Sequence, residues 1–248
     1  PIALLSPLAK TLESIIHTII KPHLPQLHHQ HGFKSKHSTT TALHSILDPI
    51  VNGFNQKRPP HRTTLVAIDF SQAFDTVNIY TLINKMINHT TIPNTLKKFI
   101  GNYINGRQGY TSYNNQTSKT HTFKTGVPQG GIISPTLFNL YLSDFPLPNN
   151  QHIKLTSYAD DITITSTHPN FRTAESLLQP YLDTITTWAT NNNLIINTTK
   201  TQCTLFTPDP AEYSKSLNLN INNTILATNP FPKICLLYTS DAADEVRS

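Results

Sequence analysis

The chain has 248 residues, of which 37% are hydrophobic and 13% are charged, so it can bury one large core, or one domain with a smaller lobe. Cys203 and Cys235 are too few cysteines for a disulfide framework, and we expect a reducing, intracellular environment. Lys10 and Glu13 interrupt the apolar stretch 2–20, which excludes a signal peptide or a membrane span there. The net charge of +5 suits a polyanionic partner without identifying one.

The first part of the chain predicts two helices separated by a basic, histidine-rich loop. Ser6-Pro7 is typical of a helix start, and an apolar face follows it as far as Ile20. Residues 22–41 form the loop, and a second helix is predicted over about 38–54. Because the chain starts without Met inside this patterned sequence, we expect it to be a fragment.

A buried strand is predicted next, over LVAIDF (65–70), because a nearly continuous apolar run is typical of a strand covered on both faces. Asp69 stands at its end, where a carboxylate is costly unless it is paired or bound to a metal. Helices are predicted over 74–87 and from Pro93 onward, followed by a hairpin over 107–126.

The second half predicts a mixture of strands and helices. Ser134-Pro135 should cap a helix that reaches about Phe145. A hairpin over 153–165 follows, and then a long helix that Pro180 is expected to kink or split. Two short strands are predicted around Lys200. This order of elements predicts the α+β class.

The hairpin carries an unusual turn, which we assign to Ala159, Asp160 and Asp161. Neighbouring acids in a turn are more typical of a solvated hairpin, but Asp69 ends a different strand that a sheet could place beside them. Three converging carboxylates would repel each other unless divalent cations neutralise them, and Mg²⁺ favours such oxygen ligands together with water and phosphate. The sequence lacks the GxSxG, HExxH and Ca²⁺-loop patterns. The basic loop 22–41 contains the sequence HHQH (28–31). We interpret it as a solvated or phosphate-facing segment and not as a metal site.

Five motifs together are similar to one family. They are GFKSKHSTTTAL (32–43), AIDFSQAFDTV (67–77), GVPQGGIISPTLFNLYLSD (126–144), SYADDITI (157–164) and NNNLIINTTKTQ (191–202). In this order they resemble the reverse transcriptase domain of jockey- or LINE-like non-LTR retrotransposons, over roughly residues 1–234.

The resemblance implies a right-hand polymerase palm, an antiparallel sheet backed by helices, with partial fingers and a largely missing thumb. Residues 1–61 would be partial fingers and 62–206 the palm, with 93–125 as a further candidate for the fingers. Residues 207–234 would end the palm and begin the thumb connection. The last stretch, 235–248, departs from the family and is expected to be a foreign or disordered tail.

The resemblance also implies roles for individual residues. The implied metal ligands are Asp69, Asp160, the less direct Asp161, and the backbone carbonyl of Phe70, for two Mg²⁺ ions that Mn²⁺ could replace. Lys200 matches a proton donor to pyrophosphate, although a surface lysine is an equal alternative.

Further roles concern the nucleotide and the primer. The implied nucleotide contacts are Phe74, Gln129, Gly130, Lys34 and Lys36. Phe74 matches the bulky residue that rejects a ribose 2′-hydroxyl, although its spacing also fits a core position. Tyr158 and Gly131 would lie near primer and template.

The resulting hypothesis is an RNA-directed DNA polymerase that transfers nucleotides from dNTPs to a primer 3′-hydroxyl on an RNA template. Its partners would be template RNA, primer or target DNA and dNTPs, with no membrane. The family implies a nuclear location at the integration target. Two alternatives stay open: a truncated, inactive remnant that binds nucleic acid, and a related maturase or telomerase-type protein.

Overall fold

A computed structural model describes residues 3–114, 116–230 and 232. The helices are α1 (Pro7–Ile20), α2 (Thr39–Phe54), α3 (Ala73–Thr76), α4 (Ile79–His89), α5 (Asn94–Ile104), α6 (Ser134–Tyr141) and α7 (Phe171–Asn191), with 3₁₀ turns at Lys21–His23 and Pro210–Glu212. The strands are β1 (Arg62–Ile68), β2 (Gln108–Gly109), β3 (Ser112–Tyr113), β4 (Gln116–Thr117), β5 (His121–Thr122), β6 (Ile153–Tyr158), β7 (Asp161–His168), β8 (Gln202–Phe206), β9 (Asn220–Ile221), β10 (Thr224–Ile225) and β11 (Ala227–Thr228). The predicted tail 235–248 lies outside the described residues.

The chain divides into two compact units. The described residues of 1–27, 72–144 and 192–194 form the first unit, and those of 28–71, 145–191 and 195–248 form the second. The predicted division into fingers, palm and thumb connection remains a prediction. Within the described residues, no helix combines the length and the apolar character that crossing a bilayer requires.

The second unit is built on a five-stranded sheet with the order β11-β8-β1-β7-β6. Strands β8, β1, β7 and β6 are antiparallel neighbours, as predicted. β11 pairs parallel with β8, which makes the sheet mixed. Together with the helices, this confirms the α+β class and is consistent with a partial palm.

Helices cover both faces of the sheet because β1 is apolar on both sides. Leu65 packs against Ala42 and Ile46 of α2. Alternate residues of a strand point to opposite faces, and Val66 on the other face is completely buried. Helix α7 packs against β1 and β7 and presents a stripe of buried residues such as Leu178. The burial on both faces confirms the prediction made from LVAIDF.

The first unit is a set of helices with two short ladders. Helix α4 packs against α5 and α6, and the strand pairs β2–β5 and β3–β4 form the predicted hairpin. Ser6 caps α1 by accepting a hydrogen bond from the N–H of Ala9. The buried Lys85 ammonium donates to Asp144 Oδ1 and to the carbonyl of Tyr141, each at 2.6 Å, so the charge on the apolar side of α4 is neutralised.

Helix α6 is shorter than predicted. It ends at Tyr141, and Ser134 is its first residue rather than its cap, which is Ile133. The N–H of Leu142 donates to the carbonyls of Phe138 and Leu140, a tightened last turn that closes the helix before Pro146.

Two further predictions were wrong in part: Pro180 was expected to kink or split α7, and two strands were expected around Lys200. Pro180 does not split α7, which runs without interruption from Phe171 to Asn191; burial of Leu178 and Tyr181 on either side of the proline stabilises the helix against the lost hydrogen bond. Of the two strands predicted around Lys200, only β8 forms.

Candidate active site

The predicted acids Asp69, Asp160 and Asp161 lie at one end of the sheet of the second unit. β1 and β7 are antiparallel, with Ile68 opposite Ile162. Continuing this register by one residue places Asp69, which follows β1, beside Asp161. Asp160 precedes Asp161 in the turn between β6 and β7. The strand register thus brings together acids that are far apart in the sequence.

The backbone of Asp69 is held on both sides by the segment that precedes β8. Its N–H donates to Oγ1 of the fully buried Thr201 at 3.2 Å, and its carbonyl accepts from the N–H of Asn197 at 2.8 Å. Phe70 is buried and forms an antiparallel bridge with Ile196. This segment, expected to be a strand, instead forms a bridge and a turn that fix the position of the first acid.

The acidic turn is one residue tighter than predicted. Tyr158 pairs with Asp161, so only Ala159 and Asp160 form the connection and Asp161 is the first residue of β7. Ala159 has a φ of 55°, a left-handed conformation that costs a residue with a Cβ about 1–3 kcal/mol. The surrounding structure must stabilise this turn, and with it the position of Asp160.

Burial and charge act together on Asp160. Burial raises the pKa of its carboxyl group above the ordinary 3.8, the negative charge of Asp69 raises it further, and its own backbone N–H lowers it. Ionisation of Asp160 therefore costs more free energy than ionisation of a solvated aspartate, and a bound cation would offset both the lost hydration and the charge of Asp69.

The residues at this end of the sheet fit a divalent cation that takes few protein ligands. In the described part of the chain, no group of three or more His, Cys, Asp or Glu side chains forms a metal-binding cluster. Asp69 and Asp160 nevertheless interact electrostatically, and two carboxylates with a backbone carbonyl suit Mg²⁺, which keeps water and phosphate ligands. The metal-ligand roles of Asp69, Phe70, Asp160 and Asp161 remain predictions.

The other candidates of the second unit differ in exposure. Lys200 is exposed in the turn before β8, and its N–H donates to the carbonyl of Asn197. Tyr158 is partly buried against the core around Leu65. Lys34 is half-buried and Lys36 is exposed, so both could reach a phosphate, and their predicted roles remain untested.

The histidine-rich loop holds a neutral histidine. Burial, and then the charges of Lys34, His28 and His31, lower the pKa of His29 to about 4. The imidazole of His29 is thus uncharged at neutral pH.

Phe74 belongs to the first unit, where its ring packs against another aromatic ring and the residue is partly buried. Its ring stacks on Phe138 with centroids 4.4 Å apart and an interplanar angle of 18°. The residue is only partly buried, and its carbonyl accepts from the N–H of Val127 at 2.9 Å. This arrangement agrees with a core position, and the contact with a sugar remains a prediction.

The glycine-rich loop of the first unit is tied to its surroundings at Gln129. The side-chain Nε2 of Gln129 donates to Asp75 Oδ1 at 3.0 Å, and its carbonyl accepts from the N–H of Ala3 at 2.7 Å. Gly126, where the loop begins, has a φ of 82°, and a Cβ there would lie 2.9 Å from the carbonyl oxygen of Asp75. Asp75 is therefore a support for this loop.

Glu13 supports the same loop from α1. This carboxylate is 2% exposed and accepts hydrogen bonds from the N–H of Ile132 and the hydroxyl of Tyr103. A Cβ at Gly131 would lie 3.3 Å from both carboxylate oxygens, so the loop backbone approaches Glu13 closely. Gly130 lies in the loop with a φ of 105°. Its predicted nucleotide contact, like the primer and template contact of Gly131, remains a prediction.

Sequence reasoning missed three residues that hold the site in place. Glu13 and Asp75 bond the glycine-rich loop, and Gln30 bonds the backbone of Ala159 in the acidic turn. Glu13 could have been found as a lone acid on the otherwise apolar face of α1, because a buried charge needs partners. Nothing in the sequence alone pointed to Asp75 or Gln30, since their partners are backbone groups or distant in the chain.

Comparison with known proteins agrees with this arrangement. Residues 1–229 match the family described as reverse transcriptase (RNA-dependent DNA polymerase). The chain is 31% identical over 217 residues to a probable RNA-directed DNA polymerase from transposon BS of Drosophila melanogaster, covering 84% of this chain and 23% of the relative. It is 28% identical over 177 residues to the RNA-directed DNA polymerase from mobile element jockey of the same species, covering 69% and 19%. The chain thus spans about a quarter or less of these relatives.

Solved structures show the same fold. A telomerase from Candida tropicalis in complex with a fragment of telomeric RNA superposes with a TM-score of 0.56 at 12% identity, covering 87% of this chain and 35% of the telomerase. Its apo form gives a TM-score of 0.51 at 10% identity, covering 79% and 35%. With the acids on a palm-like sheet and the family match over most of its length, the chain belongs to the reverse transcriptase family, in the branch of the non-LTR retrotransposons.

Proposed function

We propose that this chain is the catalytic core of a retrotransposon RNA-directed DNA polymerase. The primer 3′-hydroxyl would attack the α-phosphate of a dNTP, forming a new phosphodiester bond as the bond to pyrophosphate breaks. The observation that carries the proposal is the strand register that places Asp69, at the end of β1, beside the turn that holds Asp160, in a chain that belongs to this family.

The carboxylates of Asp69 and Asp160 and the carbonyl of Phe70 are the groups that would hold Mg²⁺, with Mn²⁺ as a substitute. When bound, the metal would favour the attacking alkoxide and neutralise charge on the phosphates. The contribution of Asp161, at the start of β7, would be less direct. The exposed Lys200 would give a proton to the leaving pyrophosphate.

Lysines, aromatic residues and residues of the glycine-rich loop would bind the nucleic acid and the nucleotide. Lys34 and Lys36 would contact phosphates as point charges. Phe74 would exclude a ribose 2′-hydroxyl, and Gln129 and Gly130 would face the nucleotide. Tyr158 and Gly131 would contact primer and template. The substrates would be template RNA, a DNA primer and dNTPs, and the site of action would be the nucleus.

The test is extension of a labelled DNA primer on an RNA template with Mg²⁺ and dNTPs. We expect extension by the wild-type chain, and loss of it in Asp69→Asn and Asp160→Asn. Asp183→Asn is the matched control, because Asp183 is exposed on α7 and its carboxylate accepts a hydrogen bond from Gln179 on the same helix, a contact that asparagine can keep. Equal extension by wild type and Asp160→Asn would refute the proposed role of that carboxylate.

The alternative is an inactive remnant that binds nucleic acid. The observation behind it is the net charge of +5, which favours binding of a polyanion whether or not catalysis occurs. Binding of RNA that weakens steeply with salt, without any nucleotide incorporation under Mg²⁺ or Mn²⁺, would support the remnant and overturn the polymerase.

A further inference from the structure

The turn that carries Asp160 is contacted by a segment from a distant part of the same unit, residues 29–32. The N–H of Ser157 donates to the carbonyl of His29, and the N–H of His31 donates to the carbonyl of Ser157, both at 2.8 Å. Gln30 and Ser157 thereby form a parallel bridge. This segment therefore extends the sheet by a single bridge at its β6 edge.

The side chain of Gln30 continues this pairing into the turn. Its Oε1 accepts from the N–H of Ala159 at 2.9 Å, and its Nε2 donates to the carbonyl of Ala159 at 3.0 Å. The same Oε1 also accepts from the N–H of Gly32 at 2.7 Å. The carboxamide therefore satisfies both backbone groups of the strained residue, as a paired strand would do.

The contact is buried and sterically closed. Gln30 is 1% exposed. A Cβ at Gly32 would lie 2.3 Å from the nitrogen of Ala159 and 2.9 Å from its Cα, so the backbone of Gly32 lies directly against the turn. A side chain at residue 32 would therefore require Ala159 to move, and Asp160 is the next residue in the chain.

We propose that Gln30 is a positioning residue, which holds the backbone of Ala159 in its left-handed conformation and so orients the carboxylate of Asp160. Gln30 does not touch the reacting atoms. The proposal rests on the proposed function for its catalytic consequence, while its structural content is independent of any activity.

The test compares Gln30→Glu and Gln30→Met with wild type. A glutamate keeps the shape but puts an oxygen against the carbonyl of Ala159, and a methionine keeps the length but has no amide. Gln56→Glu is the matched control, because Gln56 is an exposed residue of the same unit. The first readout is amide hydrogen exchange of peptides covering 157–162, and the second is steady-state primer extension.

We expect both Gln30 variants to exchange at least about tenfold faster than wild type at 159–161, with Gln56→Glu unchanged. In primer extension we expect kcat to fall roughly tenfold or more, while KM for dNTP stays within about twofold, because misplacing a catalytic group affects the chemical step. Unchanged exchange at 159–161, or unchanged kcat in an active enzyme, would overturn the proposal.

Two outcomes separate this proposal from the proposed function. If wild type extends no primer, the polymerase assignment fails, while the exchange comparison still decides the role of Gln30. If the variants do not fold, exchange in the wild type decides instead: the N–H groups of Ala159 and Gly32 should be strongly protected, and rapid exchange at either would refute the proposed contact.

Discussion

Asp160, in the turn between β6 and β7, is coupled to Asp69 at the end of β1: burial and the charge of Asp69 both raise the pKa of the Asp160 carboxyl group. A protein with no use for this arrangement would gain stability by replacing Asp160 with an uncharged residue. The unfavourable pairing is understandable if a cation is present during function, because the same two charges that repel each other attract a divalent ion.

The first prediction is that Asp160→Asn loses activity and gains stability. Primer extension should fall roughly 100-fold or more. The melting temperature without metal at neutral pH should rise by about 2–4 °C for each kcal/mol gained. A raised pKa means that protonated Asp160 stabilises the fold at low pH, and that this stability is lost as the pH rises through a value above 3.8.

Calorimetry at several pH values checks this prediction. The gain from Asp160→Asn should be present at neutral pH and should disappear at a pH below 3.8, where the wild-type carboxyl group is protonated in both states. Adding Mg²⁺ should raise the melting temperature of wild type and not that of the variant. A variant less stable than wild type at neutral pH would contradict the electrostatic argument.

The second prediction concerns the choice of sugar. Phe74→Val shortens the partly exposed ring while leaving an apolar residue against Phe138. The ratio of rNTP to dNTP incorporation should rise about tenfold or more. Because a ratio is measured, a general loss of stability or activity cancels. Phe99→Val is the control, since Phe99 is an exposed residue of α5, and an unchanged ratio in Phe74→Val would remove the proposed role in sugar selection.

Much of the sheet could be predicted from local sequence, because its strands show apolar runs or alternating apolar and polar residues. The run LVAIDF is apolar on both faces and is indeed covered on both, and the alternation around Asp160 and Asp161 gave the hairpin β6–β7. The position of Asp69 at a strand end followed from the same pattern. These features depend on residues close together in the chain.

The errors have a common physical origin in contacts between distant residues. Pro180 was expected to kink or split α7, but the helix is not split, because burial of its neighbours outweighs one lost hydrogen bond. The turn residue Ala159 gave no sign of its positive φ, because Gln30 supplies the stabilising contacts from far away in the sequence. Local propensity carries no information about such partners.

The third prediction tests the buried carboxylate behind the glycine-rich loop. Glu13→Gln replaces the two hydrogen bonds that the carboxylate accepts from the Tyr103 hydroxyl and the Ile132 N–H with weaker neutral ones, and its N–H₂ requires the Tyr103 hydroxyl to accept instead of donate. The free energy of unfolding should fall by about 1–3 kcal/mol. Urea denaturation of Glu13→Gln, Tyr103→Phe and the double variant should give a coupling energy of about 0.5–3 kcal/mol.

Tyr113→Phe is the control for that cycle, because Tyr113 belongs to the same unit and is 76% exposed. Its stability should equal that of wild type. Additive effects of Glu13→Gln and Tyr103→Phe would show that the two side chains do not interact, and the support of the loop by α1 would then rest on Ile132 alone.

The fourth prediction uses two glycines with similar backbone conformations and different surroundings. Gly126 and Gly106 have φ values of 82° and 66°, so alanine at either position should cost about 1–2 kcal/mol of backbone strain. A Cβ at Gly106 meets no atom within 4 Å among the described residues, whereas one at Gly126 would lie 2.9–3.1 Å from backbone atoms of Asp75. Gly126→Ala should therefore destabilise the protein by about 1–3 kcal/mol more than Gly106→Ala.

Urea unfolding of the two variants measures this difference directly, because the shared strain cancels. Equal losses would mean that the loop can move away from the backbone of Asp75 at no cost, and the support of the loop by Asp75 would then rest on the hydrogen bond that its carboxylate accepts from Gln129.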